Sequence, residues 1–135
     1  MKVFFYGLFM DEGLLAKKGI VPSDAVVGYV DGFGLRIGER ATLLRFAGTR
    51  AYGVMMEISS VEVKNLYSES SVADYVPEPV TVQLVDGSQV EASCYILPGD
   101  KITGTNKGYA EALLDLAKEL DLPESYLGEI RQAGC

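Results

Sequence analysis

The stretch NLYSESSVADY, residues 65–75, sets a single acid, Glu69, among small, polar and aromatic neighbours. A carboxylate there is either a proton acceptor held in a site or a solvated loop acid, and composition alone favours the loop acid. The other chemistry-bearing residues narrow the choice by what they exclude. The chain has no histidine, so neither a Ser-His-Asp nor a Cys-His arrangement can be assembled. A zinc site would have to combine the distant Cys94 and Cys135 with carboxylates, and no metal is expected. No GxGxxG follows a strand pattern and no GxxxxGKS/T occurs, which leaves a nucleotide cradle without support. GDKITGTNKG has glycines and lysines at the wrong spacing and reads as a polar connecting loop. Carboxylates, tyrosines and backbone amides remain to do any chemistry. Glu57 and Asp74 compete with Glu69, but Glu57 belongs to a strand pattern and Asp74 adjoins Tyr75 in an extended stretch.

Any such site must be carried by one small core. The 135 residues are 48% hydrophobic and 23% charged, which suits a single domain spanning 1–135. The net charge of −7, with no run of Lys or Arg, argues against nucleic acid as a partner. MKVFFYGLFM is apolar enough for the core of a signal peptide, but acidic DEG follows where a small-residue cleavage site belongs. No apolar run approaches the roughly 20 residues needed to span a bilayer. No membrane association is expected, and a cytoplasmic protein is the default. Two cysteines, one of them the last residue, are too few for a disulfide framework and suit a reducing compartment.

The elements that would position Glu69 are mostly short strands. KVFFYG is a continuous apolar run stopped at Gly7, the pattern of a strand covered on both faces. DEGLLAKKG suits a short helix, with acids in its first turn, lysines in its last and Gly19 as a stop. AVVGYVDGFGLRIG is a strand in which Gly32 and Gly34 mark a bulge or bend. ATLLRFAG and AYGVMMEIS read as two more strands separated near Gly48. Ser59 and Glu62 have the spacing of a capping box, opening a helix just before the Glu69 segment. PVTVQLVDGSQVEASCYILP is a hairpin around Asp86-Gly87. A two-residue loop puts Val82 and Leu84 on the face of Tyr95, and a three-residue loop puts them with Ala92, Cys94 and Ile96; the first is the preferred reading. Asn106 suits the cap of a helix whose stripe is Tyr109, Ala112, Leu113, Leu116 and Leu120, and a second helix follows between Pro123 and Gly134. The fold class is α+β, a small curved mixed sheet or barrel with flanking helices. A curled sheet of this kind offers a mouth for a small ligand.

The order of these motifs resembles the γ-glutamyl cyclotransferase-like (AIG2-like) family over roughly residues 1 to 130. The family's first strand ends in Tyr-Gly and a small polar residue; FFYGLFM is similar, with Tyr6-Gly7 present and Leu8 in place of Ser or Thr. GVMMEI is similar to its Gly-x-x-Tyr-x-Leu strand, with Gly53 kept and Met56 replacing Tyr. LYSESSVADY resembles its Leu-Asp-x-x-Glu-Gly element and following Tyr, through Leu66, Glu69 and Tyr75. Here the acid stands one residue closer to the leucine, with Tyr67 and Ser70 instead of Asp and Gly. Tyr95 in ASCYIL, and Tyr109 ahead of LDLPESYL, complete the series.

The resemblance implies an enzyme, a cyclotransferase or related lyase without metal or cofactor. In the implied reaction, the α-amine of a γ-glutamyl amine, amide or peptide attacks its own γ-carbonyl and releases 5-oxoproline. Glu69 would be the general acid/base. The amides of Gly7, Leu8, Phe9 and Met10 would bind the α-carboxylate or the oxyanion, and Tyr6, Tyr75, Tyr95 and Tyr109 would contact substrate. A free glutamate titrates near ~4.3 and an α-ammonium near ~7.7–8, so unassisted transfer is uphill by about 5 kcal/mol. The implied site should therefore shelter its acid from water. Read from the residues alone, Tyr6 marks a strand end and turn, and Tyr95 and Tyr109 are packing residues by default. A non-catalytic small-molecule binding module on the same fold is the alternative, and an interaction scaffold a more distant one. The oligomeric state is open.

Overall fold

Val3, Phe4 and Phe5 are all buried because the opening strand has a neighbour on each edge and cover on both faces. The computed structural model describes residues 1–134; Cys135 lies outside them. Among these residues, five strands and four α-helices run in the order β1 (Lys2–Phe5), α1 (Glu12–Lys17), β2 (Ser23–Ile37), β3 (Ala41–Glu57), α2 (Ser60–Leu66), β4 (Val76–Leu84), β5 (Gln89–Ile96), α3 (Lys107–Glu119) and α4 (Glu124–Ala133), with short 3-10 turns at Leu8–Met10 and Gly99–Lys101. The strands close into a barrel, β1-β3-β2-β4-β5. Every pairing is antiparallel except the closing one, in which β1 meets β5 in parallel at Val3 and Ser93. The expected α+β barrel with flanking helices is therefore what forms.

Burying a side chain the size of Phe4 or Leu43 contributes about 1.5–3 kcal/mol, and the barrel interior collects these from every strand. One polar group joins them. Thr42 is fully buried, and its hydroxyl donates to the Leu97 carbonyl at 2.9 Å while accepting the Leu97 N–H at 2.7 Å. It thereby ties the start of β3 to the chain leaving β5.

Three local readings change. The two strands expected around Gly48 are one, β3, because pairing with β2 resumes on either side of an excursion at residues 46–49: Phe33 faces Arg45 and Asp31 faces Arg50. The register shift expected at Gly32 is the β2 side of the same irregularity. The β4–β5 hairpin uses the three-residue loop, which overturns the preferred register. Leu84 N–H donates to the Ser88 carbonyl, Gly87 closes the turn at φ +87°, and Val80 and Val82 pair with Ala92 and Val90. Gly87 N–H closes the turn onto the Leu84 carbonyl at 3.0 Å and its left-handed conformation suits the strands' twist, while the Ser88 amide and hydroxyl both donate to Asp86 Oδ1. Finally, the buried stripe of α3 is Ala110, Leu113 and Ala117, with Tyr109, Leu116 and Leu120 at its margins and Ala112 exposed. The small alanines let α3 sit close against the end of α4, where Ala110 meets Gly134.

The capping box forms as read: Ser59 Oγ accepts from Glu62 N–H at 3.1 Å, and the Glu62 carboxylate reaches back to Ser59. No helix among the described residues is long and apolar enough to cross a membrane.

Candidate functional site

A tight turn after β1, the end of α1, the β2–β3 connection, the segment between α2 and β4, and the start of α3 surround a cavity of about 340 Å³. That is within the range of small-molecule sites. Each piece is held there by local bonds. Met10 N–H closes a turn onto the Gly7 carbonyl at 3.0 Å, directing the chain from β1 into α1. Asp11 caps α1 by accepting from Gly13 N–H at 2.9 Å, so that the last turn of this short helix delivers Lys18 to the cavity. After α2, Val72 N–H bonds to the Glu69 carbonyl and Tyr75 N–H to that of Val72, at 3.0 and 3.1 Å. Beyond the end of α2 at Leu66, residues 67–75 thus form a series of compact turns that aims Glu69 at the cavity mouth.

Of the residues anticipated, Tyr6, Gly7, Leu8, Phe9, Glu69, Tyr75 and Tyr109 border this cavity. Met10 does not; it is buried in the core. Tyr95 does not either, and instead stacks on Tyr67, ring centres 4.0 Å apart and 10° from parallel, behind the cavity wall. Glu57 lies elsewhere, against Lys2 and the N-terminal ammonium at 3.8 and 3.6 Å, and Asp74 is exposed outside the lining. The lining also includes residues not assigned to the site from sequence, among them Lys18, Glu39, Arg40 and Tyr67. Only Tyr67 carried a signal, as an aromatic two residues from Glu69; the three charged residues sit in polar stretches like many surface ones.

The inner wall is aromatic and fixed. Tyr6 donates to the Tyr95 carbonyl at 2.6 Å, and Tyr75 donates to the Ala41 carbonyl. The Tyr109 hydroxyl accepts the Leu8 N–H at 3.1 Å. Gly7 permits that last bond, since a Cβ at this position would collide with the Tyr109 hydroxyl. Burial holds the phenols of Tyr6, Tyr67, Tyr75 and Tyr109 above the ordinary tyrosine range. At neutral pH they are therefore protonated hydrogen-bonding groups and not bases. Cys94, behind the same wall, is pushed up to about 12 by burial and stays an unreactive thiol.

The mouth is charged. Lys18 Nζ lies 2.8 and 3.0 Å from the two carboxylate oxygens of Glu69, with the side chains 28% and 41% exposed. The sheltered acid expected from sequence is thus corrected: an ammonium, and not burial, dominates this carboxylate's surroundings. The reason is position, since Glu69 projects from a surface turn instead of a strand. Among the peptide N–H groups after β1, Leu8's is held by Tyr109 and Met10's by Gly7. Those of Gly7 and Phe9 have no partner within the described chain. The arrangement can bind a polar, zwitterionic molecule, with a carboxylate and an ammonium at one end, an aromatic wall behind, and Arg40 on the lining.

These features can be set beside known proteins. A sequence model of the AIG2-like family matches residues 50–130. Among solved structures, YkqA from Bacillus subtilis superposes with a TM-score of 0.79 at 22% identity, over 98% of this chain and 53% of that one. A protein described as γ-glutamyl cyclotransferase gives 0.74 at 18% identity, covering 96% of this chain and 85% of its own. An AIG2-like protein from Mus musculus gives 0.60 at 15%, over 79% and 88%. At these identities the likeness establishes a shared fold. No curated protein matches the chain by sequence.

Proposed function

The chain belongs to the AIG2-like family, and from that premise we propose that it is a cyclotransferase acting on a γ-glutamyl amine, amide or peptide, with Glu69 as general acid/base. The observation that carries this reading is that Glu69 and the peptide N–H groups following β1 border one cavity. The reaction needs a base and an oxyanion partner on either side of one small molecule. The α-ammonium gives a proton to the Glu69 carboxylate, its nitrogen attacks the γ-carbonyl to form the C–N bond of a five-membered ring, and the second proton that the ring nitrogen sheds passes to solvent. The oxyanion is met by the unpartnered Gly7 and Phe9 N–H groups. Collapse breaks the bond to the departing amine, which takes the proton back from Glu69, leaving 5-oxoproline. No co-reactant is consumed. Because both reacting groups belong to one molecule, holding the flexible glutamyl chain bent against the aromatic wall supplies much of the acceleration.

Incubating the purified protein with a panel of γ-glutamyl amines, amides and dipeptides and assaying 5-oxoproline tests the proposal. Product that disappears in Glu69→Gln while binding persists is the expected result. A non-catalytic binding module is the second reading, favoured by the Lys18 ammonium on both Glu69 oxygens and by the lack of a hydroxyl at Leu8. Binding without product from any member of the panel would decide for it.

A further inference from the structure

We propose that Lys18 is the residue that binds the substrate's α-carboxylate, and that the Lys18–Glu69 ion pair is a template for the zwitterionic head of an α-amino acid. The inference rests on the glutamyl reading of the cavity and adds a specificity residue to it. Three observations lead there.

The first is a shortage of amides. With Leu8 N–H committed to the Tyr109 hydroxyl and Met10 N–H to the Gly7 carbonyl, Gly7 and Phe9 are left, enough for one oxyanion. The α-carboxylate needs a partner elsewhere. The second is that the cavity offers two cations, Lys18 and Arg40, and the reaction chooses between them. The α-amine has to reach Glu69, and the α-carboxylate hangs from the same carbon as that amine. The cation it can meet is therefore the one already beside Glu69, which is Lys18 at 2.8 Å. Arg40 also lines the cavity, from the β2–β3 connection, but the ion pair that Glu69 makes among the described residues is with Lys18. The third is charge order. Lys18 and Glu69 lie side by side as ammonium and carboxylate, and an amino acid head laid against them in the opposite sense pairs ammonium with carboxylate twice. A carboxylate offers about four lone-pair sites, so Glu69 can keep one bond to Lys18 while it receives the substrate's amine. Lys18 has further N–H donors to turn toward the substrate.

Calorimetry on the full chain with L-γ-glutamyl methylamide, which has one carboxylate, and with its α-carboxamide analogue isolates this contact. The wild type is expected to bind the acid about tenfold more tightly than the amide, the size of one charge-assisted hydrogen bond. Lys18→Met removes that preference, Lys18→Arg restores most of it, and Arg40→Met leaves it intact. A preference that survives Lys18→Met, or that vanishes in Arg40→Met, overturns the assignment, as does a wild type that does not discriminate. A purely structural role for Lys18 would shift both ligands equally and also overturns it. The result is separable from that of the catalytic reading. Acid preference lost in Lys18→Met with no 5-oxoproline from the wild type supports the carboxylate site and rejects cyclisation. Product whose KM for acid and amide ignores Lys18 rejects the site and retains cyclisation.

Discussion

On the inner wall of the cavity, Tyr6 is buried and donates at 2.6 Å to a main-chain carbonyl, and in the barrel core behind that wall Thr42 makes two bonds to Leu97 with no exposure at all. At the mouth, Lys18 and Glu69 are as closely bonded, at 2.8 Å, but with 28% and 41% of their side chains in water. Similar distances hide different energetics. A buried polar group that loses its partner leaves an unsatisfied atom at a cost of about 1–3 kcal/mol, whereas an exposed ion pair contributes about 0–1 kcal/mol because water replaces either partner. The wall holds the shape, and the mouth is free to exchange partners with a ligand.

The sharpest way to break this contrast is Glu69→Gln. Turnover should fall by about 10²–10⁴-fold, the usual contribution of a general acid/base, while denaturant unfolding moves by less than about 1 kcal/mol. A stability loss as large as the loss of activity would make Glu69 a structural residue. Next in size is Thr42→Val, which strands both Leu97 main-chain groups and should destabilise the fold by about 1–3 kcal/mol in urea titration; unchanged stability would mean the wall relaxes as easily as the mouth.

Tyr6→Phe removes one bond and should cost about 0.5–1.5 kcal/mol. It also has a pH signature. The Tyr6 phenol is raised by burial above its unfolded value near ~10, so the folded state holds this proton more tightly. Its stabilisation is complete below pH ~10 and is lost as pH rises toward the folded value. Alkaline unfolding, followed by circular dichroism, should therefore begin above pH ~10 and be blunted in the variant. Smallest is Lys18→Met, expected to shift stability by less than about 1 kcal/mol, with a difference from wild type that shrinks at high salt. A larger, salt-insensitive change would place the mouth in the same class as the wall.

Much of the architecture was legible because it is written in short-range patterns. The run Val3-Phe4-Phe5, the Ser59 and Glu62 capping box and the Asn106 cap all form as read, with Asn106 accepting from Tyr109 N–H at 2.9 Å. The candidate site was legible in its backbone and tyrosines less evenly. Tyr95 alternates with buried neighbours in β5, but whether its ring meets the cavity or stacks behind it depends on Tyr67, 28 positions earlier in the chain. Met10 lies next to lining residues and turns inward because the tight turn after β1 rotates it into the core. The hairpin register failed where two turn chemistries fit the same Asp-Gly pair.

Local sequence alone specified which segments become strands and helices and where they stop, since periodicity, caps and turn residues act over a few positions. Barrel closure decided which charges meet. Lys18 and Glu69 are 51 residues apart, and a lysine at the end of one short helix carries no local mark of the acid it will face. Ion pairing follows distance in space, and only the closed sheet converts that separation into 2.8 Å.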